Sequence, residues 1–391
     1  MDAGRARTLA GAVTPRVLLV AGEASGDLHG ADFVRALRAK VEAVHVSGMG
    51  GAALQAAGME LLVDDVADTA MVGTFEGWGG LRKLWQAYRT LARVLRDERP
   101  DLCVLIDFPD FNVRLARVAH RAGVPVLYYI GPQVWAWRRG RVRTIARRVD
   151  RLALVFPFEP ELYRGRGLAA EFVGHPLLDR VHRTSDRPTA LRAAGLDPAR
   201  RTVVLLPGSR RAEIANMLPV FLAAARRLVA RDPRLQIALV RAHTVSAEQL
   251  APHLAAVDVA VQVVDGAPYD LIAAADVALV KSGTSTLECA LLECPMVIAY
   301  RVSPVTAMVG RLLVRGVRHI GLPNIVVGRT VVPELFQGEV TAEGLADAAW
   351  RLLDDAPARH AVLAGLREVR SRLGSGGAAE RAAALAAEMM R

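Results

Sequence analysis

Cysteine is scarce here: three in 391 residues, Cys103, Cys289 and Cys294. The number is odd, the first lies far from the others, and no pair has zinc-ligand spacing with histidines nearby. A disulfide-stapled scaffold and a zinc module are therefore excluded, and the apolar runs around all three predict buried free thiols in a reducing compartment. Long apolar runs are missing too. None reaches the roughly 18–20 residues a transmembrane helix needs. Near the start, Arg5 and Arg7 precede an apolar stretch, but Pro15 and Arg16 interrupt it and no small-residue cleavage site follows, so no secretory signal is read. Internal repeats of short period and low-complexity tracts are absent. No helix-turn-helix, zinc-finger or RNP-type pattern occurs, which argues against a nucleic-acid-binding protein.

What is present points to a globular, basic chain. Hydrophobic residues make up 52% and charged residues 23%, enough apolar material for two cores at this length. The formal net charge of +10 suggests an anionic partner: nucleic acid, a phosphorylated substrate or anionic lipid. Solubility alone is the plainer account of that charge.

Short, fully apolar runs alternate with helical patterns. Val17–Val20, Val44–Val46, Leu102–Ile106, Val126–Tyr129 and Leu152–Val155 read as strands buried on both faces. The first is followed by a helix predicted from Leu28 to Lys40. From Leu177 to Arg201 the rhythm lapses into a stretch rich in Arg, Asp and Pro. It resumes with strands predicted at Val203–Leu206, Leu235–Leu239, Val259–Val263, Val277–Val280 and Met296–Tyr300. From Thr341 the chain is Ala/Leu/Arg-rich and helical. Alternation of this kind means parallel sheets with right-handed crossovers. The expectation is two doubly wound α/β domains, 1–177 and 178–374, with a helical tail at 375–391 that packs back on the first domain or exchanges with a neighbour. Ligands of such sheets bind beyond the carboxyl ends of the strands, and the cleft between two domains is the default active site.

Four strand-end loops carry the chemistry. Gly22–Gly30 (GEASGDLHG) lets backbone approach a ligand at a helix start; the plain alternative is a tight turn with Ser25 as helix cap. It is not a phosphate loop of the Gly-Lys-Ser/Thr kind. Ile106–Asn112 (IDFPDFN) places two carboxylates at a strand end. Asp107 there can serve as a general base, with Asp110 and Asn112 shaping the loop or capping the next helix. Leu206–Arg211 (LPGSRR) offers amides at Gly208 and Ser209 and the guanidinium of Arg210, a set suited to a diphosphate. Lys281–Glu288 (KSGTSTLE) brings Ser282, Gly283, Thr284 and Ser285 to a helix start as an anion cradle, with Glu288 one turn in as an acceptor of sugar hydroxyls or as the capping-box partner of Ser285.

The loops of the second half resemble those of two-domain nucleotide-sugar transferases of the GT-B type. Taken in order, GEASGD, IDFPDFN, Gly131–Trp137 (GPQVWAW), Gly174–Leu177 (GHPL), LPGSR, SGTSTLEC and the stretch from Leu322-Pro323-Asn324 to Gln337 resemble the lipid-A-disaccharide synthase family over roughly residues 16–340. Each motif alone is weak; seven in order are specific. Phe108 departs from the small residue familiar at its position, with packing as the expected consequence. The resemblance implies a GT-B-like fold of two Rossmann-like domains facing a cleft. It implies inverting transfer of 2,3-diacylglucosamine from UDP-2,3-diacylglucosamine to the 6-hydroxyl of 2,3-diacylglucosamine 1-phosphate, with a β-1,6 bond formed and UDP released. Asp107 is then the base, Arg210 and the amides around Ser282–Ser285 stabilise UDP, and Ser25 lies near the sugar or phosphate. Asn324, Glu334 and Gln337 contact the nucleotide. No metal and no other cofactor is expected.

Both substrates of that family are acylated, which implies a cytoplasmic enzyme, peripheral on the inner face of the inner membrane and facing an anionic membrane surface. A homodimer is left open. Leu81, Leu84, Trp85, Tyr88, Leu91 and Leu95 share one helical face that resembles an interfacial helix, with Met71, Val72, Phe75 and Trp78 before it. An ordinary core helix has the same periodicity. Arg138–Arg151, with seven arginines after Trp135 and Trp137, reads as a phosphate or headgroup site. The competing readings are a peptidoglycan-type transferase or a UDP-sugar epimerase of the same fold, and a non-catalytic lipid-binding scaffold.

Overall fold

The computed structural model describes residues 14–22, 24–63, 78–135, 140–266, 269–301 and 319–391. Packing divides the chain into two units. The first takes the chain up to Val155, then Glu159–Val173 and Gly377–Arg391; the second takes Phe156–Phe158 and Gly174–Gly376.

The first unit is built on a seven-stranded sheet of β1 (Arg16–Ala21), β2 (His45–Met49), β3 (Glu60–Val63), β4 (Leu102–Ile106), β5 (Val126–Tyr129), β6 (Arg151–Leu154) and β7 (Ala169–Phe172). Their order across the sheet is β3-β2-β1-β4-β5-β6-β7, every pair parallel. Strands β4 and β5 are wholly buried, as their unbroken apolar sequences require when helices cover both faces. The second unit repeats the plan with β8 (Thr202–Leu206), β9 (Gln236–Arg241), β10 (Val261–Asp265), β11 (Val277–Lys281), β12 (Met296–Tyr300) and β13 (Glu334–Phe336), in the order β10-β9-β8-β11-β12-β13. Both sheets are doubly wound, so each reverses its strand order at one place: between β1 and β4 in the first, between β8 and β11 in the second.

The first helix runs from Ala24 to Lys40, four residues earlier than its periodicity predicts, and the tenth strand is shifted two residues onward from Val259–Val263. The last helix, Ala378–Met389, buries Ala378, Ala379, Ala382, Ala383, Leu385 and Ala386. This small-residue face packs on the helix Ala24–Lys40 and against strands of the first sheet. Arg381 donates to the Val173 carbonyl at 2.8 Å and Arg151 to Glu388 at 2.7 Å. All three cysteines are free and buried, and burial pushes the Cys103 thiol up to about 12. Among the described residues no helix is long and apolar enough to cross a membrane.

The proposed interfacial helix is corrected in part. In Trp78–Arg93 and the π-helical turn Val94–Glu98 that continues it, Leu91 and Leu95 are fully buried. Leu84 and Tyr88 pack against the same core. That apolar face covers the sheet, which is the task helical periodicity most often reports. What remains outside is Trp85, 57% exposed, with the Arg89 guanidinium 4.6 Å above its ring. Met71, Val72 and Phe75 lie outside the described residues, as do Trp137, Arg138 and Arg139 of the arginine segment. The rest of that segment is divided: Arg141 pairs with Asp110, Arg151 with Glu388, and Arg148 donates to the Val113 carbonyl.

Candidate active site

All four chemistry-bearing loops begin at the carboxyl ends of the strands that flank the two reversal points. Gly22 follows β1 and Asp107 follows β4, and these strands are paired with Ala21 opposite Ile106. Pro207 follows β8, and Ser282 follows β11 at its side. This is where doubly wound sheets bind ligands, because the loops on either side diverge there and expose strand-end backbone.

In the first unit the Asp107 loop is held in an unusual backbone state. Asp107 and Phe108 both adopt the left-handed region, at φ 45° and 48°. For non-glycine residues, and for a bulky aromatic above all, this is strained. Two buried side chains hold it. Tyr128 on β5 donates its hydroxyl to the Asp107 carbonyl at 2.7 Å, and Asn112 donates Nδ2 to the same oxygen at 2.8 Å and to the Ile106 carbonyl at 3.2 Å. Burial, then the charge of Asp107, push the Tyr128 hydroxyl well above its usual range, so it stays protonated and able to donate. Phe108 stacks on Phe111, and its ring lies where a Cβ on Gly22 would be, which ties the GEASGD turn to the Asp107 loop. The substitution noted at Phe108 thus couples two loops as well as filling space. Asp110 is in the first helical turn, paired with Arg141.

Ser25 lies exposed in the first turn of the helix Ala24–Lys40 rather than capping it. Asp27 of the same motif is spent locally: it accepts from the amides of Gly51, Ala53 and Leu54 at 2.8–3.0 Å and so caps the helix Ala52–Ala56. The two motifs that follow are internal supports. Trp135 donates to Glu159 at 3.1 Å, and His175, buried, accepts from the Leu177 amide at 3.2 Å.

In the second unit Gly208 has φ 119°, outside the range of other residues, and opens the turn into the helix Arg211–Arg231. The expected availability of the Ser209 amide is corrected: the Glu213 carboxylate accepts from the Ser209 amide at 3.0 Å and the Arg210 amide at 3.4 Å. Its other oxygen takes Lys281 Nζ at 2.8 Å, which bridges the β8 and β11 loops. Burial raises the Glu213 pKa, but Lys281, the Ser209 amide and Arg210 outweigh it and hold the carboxyl below its usual range. Lys281 also stands 5.9 Å over the ring of Tyr300, which stacks on Phe336.

The helix Ser285–Leu291 starts from Thr284, which makes no side-chain cap bond. Glu288 meets the Tyr269 hydroxyl at 3.3 Å, and burial raises its pKa against the opposing bonds from Tyr269 and Ser285. Tyr269 is itself pushed up to about 12, by burial and then by Glu288. Ser282 donates Oγ to the Ile320 carbonyl at 2.8 Å. Asn324 is fully buried. Its Nδ2 donates to the Val332 carbonyl and to Glu334, and its Oδ1 accepts from the amides of Val331 and Val332. Both donors and both acceptor positions are thereby filled. Glu334 also takes the amides of Ile320 and Gly321 at 2.9 and 3.0 Å. In this structure Asn324 therefore braces the Ile320–Glu334 loop and has no polar group left for a nucleotide. Gln337, at φ 51°, is different: its Nε2 is buried with no acceptor.

Gly22, Ser25 and Asp107 are thus gathered in one unit, and Gly208–Arg210, Ser282–Ser285 and Glu288 in the other. The sequence reading gave Lys281, Glu213 and Tyr128 no role of their own. Lys281 carried a signal, as a cation on the last residue of a buried strand; the other two are identified only by their partners.

Two parallel doubly wound sheets in series, with anion-suited loops at the second reversal point, define the nucleotide-sugar glycosyltransferase architecture. Solved structures agree on the fold: the kitacinnamycin glycotransferase matches with TM-score 0.61 at 17% identity, covering 97% of this chain and 100% of that one. The UDP-GlcNAc 2-epimerase from Methanocaldococcus jannaschii matches with TM-score 0.60 at 13% identity, covering 96% and 100%. The family model for lipid-A-disaccharide synthetase matches residues 17–387. Lipid-A-disaccharide synthases from Geobacter metallireducens and Geobacter sulfurreducens are 50% and 48% identical, each over 96% of this chain and 97% of theirs. The chain belongs to the lipid-A-disaccharide synthase family, glycosyltransferases of lipid A biosynthesis.

Proposed function

We propose that the chain transfers a 2,3-diacylglucosaminyl group from UDP-2,3-diacylglucosamine to the 6-hydroxyl of 2,3-diacylglucosamine 1-phosphate, with inversion. The observation that supports this most directly is the gripped, strained loop that presents Asp107 at the β1/β4 reversal point, in a chain whose other reversal point carries Lys281, Arg210 and helix-start amides. Asp107 takes the acceptor hydroxyl proton as that oxygen attacks the anomeric carbon. The bond from that carbon to the β-phosphate oxygen breaks, and UDP leaves with the electron pair. Arg210, Lys281 and the Ser282–Ser285 segment neutralise the leaving diphosphate. The diphosphate shares the Ser209 and Arg210 amides with Glu213 or displaces it. Ser25 orients the sugar, Glu288 accepts donor hydroxyls, and Gln337 offers its buried Nε2 to the nucleotide. Glu334 holds the adjoining loop. The cations of the chain carry the neutralisation, with no metal or other cofactor assigned. Acylated substrates put the work at an anionic membrane surface on the cytoplasmic side, where Trp85 and Arg89 provide an aromatic and cationic contact.

The test is a transfer assay with detergent-solubilised substrates. Asp107→Asn is expected to lose about 10²–10⁴-fold in turnover with UDP binding retained. Near-normal turnover by that variant would remove Asp107 as base. Efficient use of acyl-free UDP-N-acetylglucosamine as donor would remove the acylated substrate class.

A further inference from the structure

The first unit carries a cationic centre at the end of its sheet away from Asp107. The helix Trp78–Arg93 passes into the π-helical turn Val94–Glu98, and the chain leaves that turn through Arg99 at φ 45°. The helix Pro109–Ala122 packs on both. It begins just past the carboxyl end of β4 and runs back along the sheet, so its last turns lie at the amino end of the strands, away from Asp107. There a cavity of about 430 Å³ is lined by Arg96, Arg99, Arg117 and Arg121, with Tyr88 and Val118 as its apolar wall. Arg148 adjoins it, half-buried. Burial, then the charges of Arg117 and Arg121, hold the Arg148 pKa below its ordinary value.

Among the described residues none of the four lining arginines has a carboxylate partner, although Arg16, Arg141 and Arg151 of the same unit each do. Cations near a helix carboxyl end favour the backbone dipole, and that accounts for one or two of them. It does not account for four exposed guanidinium groups lining one cavity with no carboxylate among them, an arrangement that concentrates positive potential there.

We propose that this cavity binds a doubly charged phosphate group through the guanidinium groups of Arg96, Arg99, Arg117 and Arg121. Planar guanidinium forks match phosphate oxygens in pairs, and the volume suits a phosphate with a small attached group. Two sources share that chemistry, a soluble phosphate and the phosphomonoester headgroup of a lipid. Exposed Trp85 lies one turn before Tyr88 on the same helix.

The experiment compares the full chain with Arg117→Ala/Arg121→Ala and with a control, Arg226→Ala/Arg227→Ala, which removes two exposed arginines from the second unit. Pyrophosphate binding is measured by calorimetry in saturating UDP. Vesicle flotation is measured with phosphatidylcholine alone and with added phosphatidic acid. The pocket variant is expected to bind roughly tenfold or more weakly, and the control unchanged. Loss of pyrophosphate binding assigns a soluble ligand. Loss of phosphatidic-acid-dependent flotation without any pyrophosphate binding assigns a headgroup. Wild type that binds neither probe, a pocket variant that binds as well as wild type, or an equal loss in the control overturns the proposal. Thermal unfolding checks the fold, with no fall in Tm expected from relief of like charges. Arg117→Lys/Arg121→Lys, which keeps charge but not the forks, is expected to fall between.

Discussion

Replacing Tyr128 by Phe removes one oxygen from a side chain with no solvent exposure and leaves the ring packing untouched. It deletes one of the two hydrogen bonds that hold the Asp107 carbonyl. A neutral hydrogen bond of this kind contributes about 0.5–1.5 kcal/mol net. Against it stand two consecutive left-handed residues, each costing on the order of 1–3 kcal/mol, so the loop has little margin and the loss favours relaxation of Asp107. The expected outcome is a stability loss of about 1 kcal/mol in denaturant unfolding. Turnover falls about fivefold or more, and KM for the donor is unchanged, because the groups proposed to hold the donor's phosphates lie in the other unit. Asn112→Ala, which strips two buried carbonyls of a donor, should cost about 2–3 kcal/mol and reduce turnover further. If Tyr128→Phe lowers stability but leaves turnover within about twofold, the grip serves folding alone and the account of Asp107 positioning fails.

Gly22→Ala forces a Cβ into the Phe108 ring and should destabilise by about 1–3 kcal/mol; thermal unfolding of the double variant with Phe108→Gly is expected to recover most of this. Lys281→Met leaves burial to dominate at Glu213. In the wild type the depressed carboxyl contributes stability that is present above its ordinary 4.5 and lost as pH falls through the lower folded value, whereas in the variant a raised carboxyl costs stability at neutral pH and regains it as pH falls. The stability gap between wild type and variant in urea unfolding should therefore be wide at about pH 7 and narrow on acidification, and UDP affinity measured by calorimetry should fall. Asn324→Ala leaves two buried amides and a buried carbonyl without partners and should cost about 3–5 kcal/mol, read from the urea midpoint. Glu334→Gln should be milder, since an amide oxygen can still accept.

The central strands were legible because both faces are covered, so their sequences are apolar without interruption. Strands β3, β7 and β13 were not: each is an edge strand, only partly buried, and Glu60, Glu171 and Glu334 break the run. The candidate loops were legible by position, since a glycine and hydroxyl residues after a buried strand mark a strand end. What the loop residues do was less so. Asn324 and Asp27 look like ligand-binding residues and are consumed by their own backbone surroundings, and Glu213 occupies amides that looked available. A polar side chain's partner depends on segments far along the chain, as with Tyr128 and Asp107 or Lys281 and Glu213, and no local pattern encodes it. The helix Trp78–Arg93 shows the same limit: one apolar stripe suits a lipid surface and a sheet equally well, and only the presence of the sheet decides.

The helix Ala378–Met389 belongs to the first unit although about 200 residues separate it from Val173. During synthesis, then, the unit that begins first is finished last. At roughly 5–20 residues per second, its sheet waits some ten to forty seconds with the surface meant for that alanine face exposed, while the second unit has its full sequence and can close on itself. Nascent chains stalled before Gly377 should be the species that chaperones hold and proteases cut. A tag or truncation at the carboxyl terminus disturbs the amino-terminal unit, and deletion of the final fifteen residues should destabilise the first unit while the second stays folded.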